Sequence, residues 1–357
     1  MNSALVIKLR PTGPWRIGPD SGARNQVDAV YHSDSLYGAV TSAMARIGLL
    51  DEWLRATAAN GVPAVSFSSC FPFVDEIGFI VPPRTVWPPS STAQLAARVR
   101  WKSARFVPLG IIPGLLAGQV LEETQWAVDG ASACLVPAGR TGPFRRGLRF
   151  NAAVDRLSGA AERHSVACIE FLRGGGLWTI ASFADEAARE RWNDPLKTAF
   201  RFLADSGFGG ERSRGWGRAE TPEFTEGMLP EMILPPAPQS ALDPDSSVPD
   251  VDPLVPSPQS ATPVSQAHWL LSLFVPGPHD SIHWGQGNYG LVTRGGRVES
   301  AAGSGELKKQ IEMVAEGSVL YAASELRGHA ADVAPDGFAH PVYRAGFAVS
   351  VPVPEVS

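Results

Sequence analysis

Cysteine is scarce in this 357-residue chain: Cys70, Cys134 and Cys168 lie far apart and show no C-x-x-C spacing. That excludes a disulfide framework and a cysteine-rich zinc site, and it marks all three as reduced core residues. Long apolar runs are missing as well. None approaches the ~20 residues needed to cross a bilayer, and the start Met1-Asn2-Ser3-Ala4 lacks a signal peptide's basic end and apolar stretch. A soluble, cytoplasmic protein with no membrane contact is expected. Lysine supplies only five of the 31 basic residues. Phosphate binding would therefore fall to arginine, whose planar fork grips phosphate in a bidentate manner and stacks on bases, although a GC-rich genome produces the same bias. An excess of positive charge is absent too. The net charge of -5 and pI near 5.8 exclude a general nucleic-acid coating protein, whose domain pI exceeds about 9.

The charge that is present is unevenly placed. Residues 235–267 hold no Lys or Arg but carry Asp243, Asp245, Asp250 and Asp252, whereas residues 84–149 set nine basic residues against Glu122, Glu123 and Asp129. With 44% hydrophobic and 19% charged residues, the chain has material for two packed cores. Residues 4–10 alternate, with Leu5, Ile7 and Leu9 on one face, which predicts a half-buried strand. After an irregular polar stretch, Ser33 or Asp34 can cap a helix with the stripe Leu36, Val40, Met44 and Ile47, ending at Gly48. The apolar runs 165–172 and 177–183 bracket Gly174-Gly175-Gly176 and predict a hairpin. Asp194 and Pro195, as N-cap and first helical residue, open a helix with Leu196, Phe200 and Leu203 that runs to Gly207. Residues 218–221 with Phe224 predict a closing strand.

This β-α-β-β-α-β order is the ferredoxin-like (RRM-like) pattern. The fold expected is α+β with two ferredoxin-like domains: residues 1–234 with a large insertion at about 51–150, a Pro/Asp/Ser-rich linker at 235–266, and a smaller second domain at 267–357. The linker carries nine prolines and no apolar periodicity. In the second domain, strands are expected at 269–275, at 319–322 and at the alternating Phe347, Val349, Val351 and Val353. A hairpin is expected at 289–293 with the Gly295-Gly296 turn, and a short helix at Leu307, Ile311 and Val314.

Between the predicted helix and closing strand, residues 205–218 contain five glycines, three arginines and a tryptophan. Glycine permits positive φ and leaves backbone N–H groups uncovered, so a phosphate chain can approach closely. The candidate RNA-binding loop comprises Gly209, Gly210, Arg212, Ser213, Arg214, Gly215, Trp216 and Arg218, with the arginines for phosphate and Trp216 for stacking. Its place after a helix excludes a P-loop and a dinucleotide loop. A purely structural turn, with Trp216 in the core, is the alternative. Arg145, Arg146 and Arg149, flanked by Phe144 and Phe150, form a second candidate single-strand surface or a solvated hairpin. Arg156 adjoins Asp155 and either contacts RNA or forms an internal ion pair.

His32 either sets the helix start together with Ser33 or serves as a general acid or base. His279 and His283 are four residues apart, but the glycines and prolines around them predict a loop, not a helical metal site. No cofactor, metal or catalytic group is expected.

Together the glycine-rich loop at 207–218 and the β-α-β-β-α-β order resemble the RAMP superfamily of CRISPR proteins. Within it, His32-Ser33-Asp34-Ser35-Leu36, Ser66-Phe67-Ser68-Ser69-Cys70-Phe71-Pro72, residues 151–159, residues 289–298 and Gly317-Ser318-Val319 resemble the fourth subunits of type III-A (Csm) effector complexes. Ser35 replaces a usual threonine and keeps the hydroxyl, while the linker is longer than the pattern leads one to expect. The resemblance implies a non-catalytic subunit that grips the 5′ tag of CRISPR RNA, with His32, Ser33 and the loop at the RNA. It implies as partners the large polymerase-like subunit and a neighbouring RAMP backbone subunit. The alternative within the superfamily is a metal-independent endoribonuclease, using His32, that processes precursor CRISPR RNA.

Overall fold

The computed structural model describes residues 2–18, 22–59, 61–89, 101–235, 265–300 and 303–355. The proline-rich stretch 236–264, and with it nearly all of the expected linker, lies outside the described residues. β1 (Asn2–Leu9) buries Leu5, Ile7 and Leu9 completely, as its alternation requires. After α1 (Ser33–Arg46) come β2 (Val65–Phe67), β3 (Phe71–Val74), β4 (Ile77–Ile80) and β5 (Val107–Pro108). β6 (Trp126–Asp129) pairs with β7 (Cys134–Pro137), and β8 (Phe144–Val154) with β9 (Ala161–Phe171). The chain then enters β10 (Gly175–Phe183), the long helix Glu186–Ser206 and β11 (Glu223–Leu229). The main sheet runs β11-β1-β10-β3-β4-β5, with β2 also on β10, and its pairs are antiparallel. Every residue of β10 is buried, because strands cover both of its edges and side chains pack on both of its faces. α1 and the long helix pack together on this sheet.

Three expectations for this half are corrected. The run 165–172 does not form a hairpin with 177–183: β9 pairs with β8 along its whole length, and β2 and β3 take the edge of β10. Alternation identifies a strand but not its partner. β2 and β3 therefore fall inside the stretch expected as an insertion. The long helix begins well before Pro195, capped by Asp185, whose Oδ1 accepts from the Ala188 N–H at 2.7 Å. Pro195 sits within it at the cost of one backbone bond, and Trp192, Leu196, Ala199, Phe200 and Leu203 make one buried stripe. The closing strand starts at Glu223, not at 218.

The second half comprises β12 (Gln266–Leu270), β13 (Leu291–Arg294), β14 (Arg297–Ser300), β15 (Gly303–Leu307), β16 (Ile311–Val314), β17 (Val319–Ala322), β18 (Gly328–Asp332), β19 (Tyr343–Phe347) and β20 (Ser350–Val353). β12 lies between β17 and β20, and the ribbons β13-β16, β14-β15 and β18-β19 surround this sheet. Among its described residues the only helical turn is Trp284–Gln286, so the helix expected around 307–314 is not formed and the half departs from the ferredoxin-like order. Leu307 ends β15, and β16 pairs with β13 and buries Met313 and Val314. The Gly295-Gly296 turn consequently joins strands that belong to different ribbons.

The two halves share a core. Trp269, Leu271, Val319, Phe347 and Val351 lie in the same buried cluster as Tyr37, Phe67 and Trp178, and the Phe347 ring meets Tyr37 edge-on at 5.5 Å. At the start of α1 the joint is ionic. The Asp34 carboxylate, fully buried, accepts from Arg294 Nε and Nη2 at 3.0 Å each, and from Arg344 Nη1. Burial opposes its charge, but the two guanidinium groups hold its carboxyl well below the usual carboxylate range. A buried carboxylate with two cations is costly to break from one side, since the partners left behind are desolvated charges. Asp34→Asn is expected to lower unfolding stability by about 3–5 kcal/mol in urea denaturation. Removing the exposed Lys309–Asp336 pair should have a far smaller effect.

Candidate nucleic-acid interface

The long helix ends at Gly207, whose φ of 80° turns the chain into the glycine-rich loop. Phe208 then plunges inward and packs edge-on against Trp15 at 4.6 Å and Tyr31 at 5.1 Å. Residues 12–16, expected to be irregular and polar, are in fact the bed of the loop. Gly217 N–H donates to Pro14 O at 3.0 Å, Gly210 N–H to Arg16 O at 2.8 Å, and the Trp15 indole to Arg218 O at 3.1 Å. The Arg16 guanidinium is buried and donates to the carbonyls of Ala23, Arg24, Gln26 and Ala167.

This bed explains part of the glycine content. At Gly217, φ is 80° and a Cβ would lie 2.1 Å from the Phe208 carbonyl oxygen; at Gly209, φ is 89° and a Cβ would lie 2.7 Å from Arg16 O. These glycines allow backbone to cross backbone, and the N–H groups of Phe208, Gly210, Gly215 and Gly217 are spent on internal carbonyls, contrary to the expectation that they stay uncovered. Gly215 differs: it faces open space, at the end of the short turn Arg212–Arg214. Arg212, Ser213, Arg214 and Arg218 are exposed, and Trp216 is half-buried beside them.

The exposed arginines are not bare. Arg212 Nη2 donates to both oxygens of Glu299, at 2.7 and 2.8 Å, and Arg214 Nε lies 3.1 Å from Glu211. On the β8-β9 ribbon, Glu170 accepts from Arg145 Nε at 2.9 Å and pairs with Arg149. Arg146 is exposed on the opposite ribbon face, which also carries exposed Leu148, Phe150 and Val154. The Arg163 guanidinium covers the Phe150 ring at 4.0 Å. Arg156 is exposed at the ribbon tip, and Asp155 there accepts from the Leu157 N–H and the Ser158 hydroxyl instead of pairing with it.

His32 and Ser33 lie apart from this surface. Both are buried at the joint between the halves. His32 Nδ1–H donates to Glu316 Oε1 at 2.6 Å and Nε2–H to Asp28 Oδ2 at 3.3 Å, and Asp28 also pairs with Arg105 at 2.6 Å. Ser33 Oγ accepts from Leu273 N–H at 3.0 Å, while Ser69 accepts from Ser33 N–H, donates its hydroxyl to Glu316 and its N–H to Leu271 O. Burial disfavours the imidazolium, but Glu316 and Asp28 outweigh it and raise the His32 pKa to about 9. Both nitrogens of this buried ring are thus taken up by carboxylates.

Sequence reasoning missed Asp28, Arg294, Glu316 and Arg344. The one available signal was an arginine amid apolar residues in 343–349, a pattern that demands a buried anionic partner. His279 and His283 sit in a loop, as expected. No helix among the described residues is long and apolar enough to cross a membrane.

A pH dependence follows from His32. Its folded pKa of about 9 lies above the ordinary 6.5, so its contribution is complete below about 6.5 and is lost as pH rises through about 9. Melting temperature is expected to fall across that window in the parent chain, and the fall should be shallower in His32→Gln when both are followed by calorimetry.

Comparison with known proteins places this geometry. Residues 264–353, a stretch of this chain that includes Arg294, Glu316 and Arg344, match the family model of the CRISPR Csm4 C-terminal domain. Among curated proteins, none matches the chain. A chain in the crystal structure of a Csm1-Csm4 cassette in complex with cA4 is similar over 99% of both chains, at 17% identity and a TM-score of 0.57. One in the Csm3-Csm4 subcomplex of the type III-A CRISPR-Cas interference complex is similar over 98% of this chain and 100% of its own, at 13% identity and a TM-score of 0.61. Residues 264–353 thus resemble the CRISPR Csm4 C-terminal domain, and the chain throughout shares its fold with chains of the Csm1-Csm4 and Csm3-Csm4 structures.

Proposed function

We propose that this chain is a non-catalytic subunit of a type III-A (Csm) antiviral effector complex, acting in the cytoplasm and gripping the 5′ tag of CRISPR RNA. The observation that carries the reading is the loop at 205–218: its backbone is fixed on residues 12–16, while Arg212, Ser213, Arg214 and Arg218 face outward beside Trp216. Splayed single-stranded bases and phosphates suit such a surface, because stacking and arginine contacts need no duplex groove. On the β8-β9 ribbon, Arg145 and Arg149 on one face, Arg146 on the other and Arg156 at the tip would offer further cations to the RNA.

The frame for this role is a ferredoxin-like unit in residues 1–234. The sheet order β11-β1-β10-β3, with α1 and the long helix packed together, supports it. The acidic stretch 235–266 would link this unit to the second domain at 267–357. The partners on this reading are the large polymerase-like subunit and a neighbouring RAMP backbone subunit, since similar chains occur in assemblies named for Csm1 and for Csm3. Absence of catalysis is supported by His32, whose ring is buried and doubly committed. The endoribonuclease reading loses its only candidate base.

A chain of net charge -5 binds RNA weakly alone, so the test belongs in the assembled complex. Arg212→Ala with Arg214→Ala is expected to flatten the salt dependence of guide retention by roughly 1.4 in log-log slope. Trp216→Ala should cost about 1–3 kcal/mol of stacking with little change in slope. RNA retention unchanged in the double arginine variant would sink the proposal. Because Glu299 competes with phosphate for Arg212, Glu299→Gln should tighten guide binding, by no more than about fivefold for so exposed a pair.

A further inference from the structure

The ion pair between Arg212 and Glu299 ties the glycine-rich loop to the second half, because Glu299 belongs to β14. The chain returns through β15 to Lys308, whose N–H donates to Gly296 O at 2.9 Å. The same turn holds Arg344, which donates from Nη2 to Gly295 O and from Nη1 to Asp34. Lys308, Arg294 and Arg344 therefore stand at one corner, and the one fully buried carboxylate there, Asp34, is bonded to the two arginines. The Tyr31 hydroxyl feels both Arg294 and Arg212, so this corner and the loop adjoin.

Two donors of the corner are unspent. Arg344 Nε is buried with no hydrogen-bond partner. The half-buried Lys308 lies in the fields of Asp34 and Glu299, yet its ammonium joins no ion pair among the described residues. Burial and Arg344 push its pKa below the ordinary lysine value, more than the two carboxylates draw it up. A cation partly withdrawn from water beside a second cation is unfavourable until an anion completes it. Glu299 marks where that anion would lie, for its carboxylate holds Arg212 and also attracts Lys308. Its side chain is 76% exposed, and so exposed a pair is easily exchanged. A phosphodiester in its place offers one charged oxygen to each cation. We propose that Lys308 and Arg212 form a phosphate subsite shared by the two halves, which takes one internucleotide phosphate of the RNA strand and which Glu299 occupies when RNA is absent. This rests on the reading of the loop as an RNA surface, and it carries the strand from the loop onto the second half.

The test uses the assembled complex with its guide. Lys308→Gln is expected to weaken guide retention by about tenfold and to flatten its salt dependence by roughly 0.7 in log-log slope, the share of one single-strand phosphate. Lys308→Arg should restore both. Since one phosphate serves both cations, Lys308→Gln combined with Arg212→Ala should cost less than the sum of the two changes. Replacing the tag linkages one at a time by uncharged methylphosphonates should identify one linkage whose neutralisation weakens the parent but not Lys308→Gln. The melting temperature of Lys308→Gln should not fall, because the change removes a cation from beside Arg344; a fall with an unaltered salt slope marks a structural lysine and overturns the proposal. Retention and slope equal to the parent's also overturn it, and the loop reading stands if the Arg212 and Arg214 variants still lose RNA. If those variants retain RNA as well, the reading beneath the proposal fails with it. Inorganic phosphate that raises the melting temperature of the parent but not of Lys308→Gln, with guide retention equal in the two, assigns the site to free phosphate and overturns the proposal too.

Discussion

The rest of the architecture depends on the carboxylate of Asp34. It stands at the first turn of α1, where an acidic group suits the positive end of the helix dipole, but it is buried, and the dipole alone cannot offset the loss of water. Arg294 from β13 and Arg344 from β19 supply the missing charge. Around it His32, Ser33 and Ser69 reach Glu316, Leu273 and Leu271, so one short stretch of the first half is bound at several points to the second. Since the neighbouring apolar cluster also draws on both halves, the two behave as one packed body.

The candidate RNA loop inherits its rigidity from the same region. Tyr31, one residue before His32, packs on Phe208 at the root of the loop. The loop is thereby held at one end by aromatic packing and along its length by the backbone of residues 12–16. Its arginines, by contrast, sit in exposed pairs with Glu299 and Glu211, which orient them at little energetic cost. A fixed backbone with exchangeable counter-charges suits a surface that must accept phosphate without attracting every polyanion.

Much of this was legible in the sequence. The alternation of β1, the stripe of α1, the place of the loop between a helix and a strand, and β17 at 319–322 all follow from local periodicity and turn chemistry. What periodicity does not encode is partnership. β9 reads as a strand equally well against β8 or β10, and Ile311–Val314 fits a short helix or a strand until β13 supplies its ladder. The His-Ser-Asp and Phe-Ser-Ser sequences were visible as marks of a family, but their role at the joint was not, because Arg294, Glu316 and Arg344 are hundreds of residues away. His32 looked like chemistry for the same reason: without its two carboxylates in view, a histidine at a helix start is indistinguishable from a base.

The distance between Asp34 and its cations also orders events in time. Arg294 lies 260 residues downstream and Arg344 310. On the ribosome the first half therefore emerges with an acidic group that has no cation to meet, and contacts so remote in sequence are slow to close. The sheet of β1, β10 and β11 can form while this corner waits hydrated. Only arrival of β13 and β19 allows α1 to surrender its water, so this corner closes after the first sheet has formed.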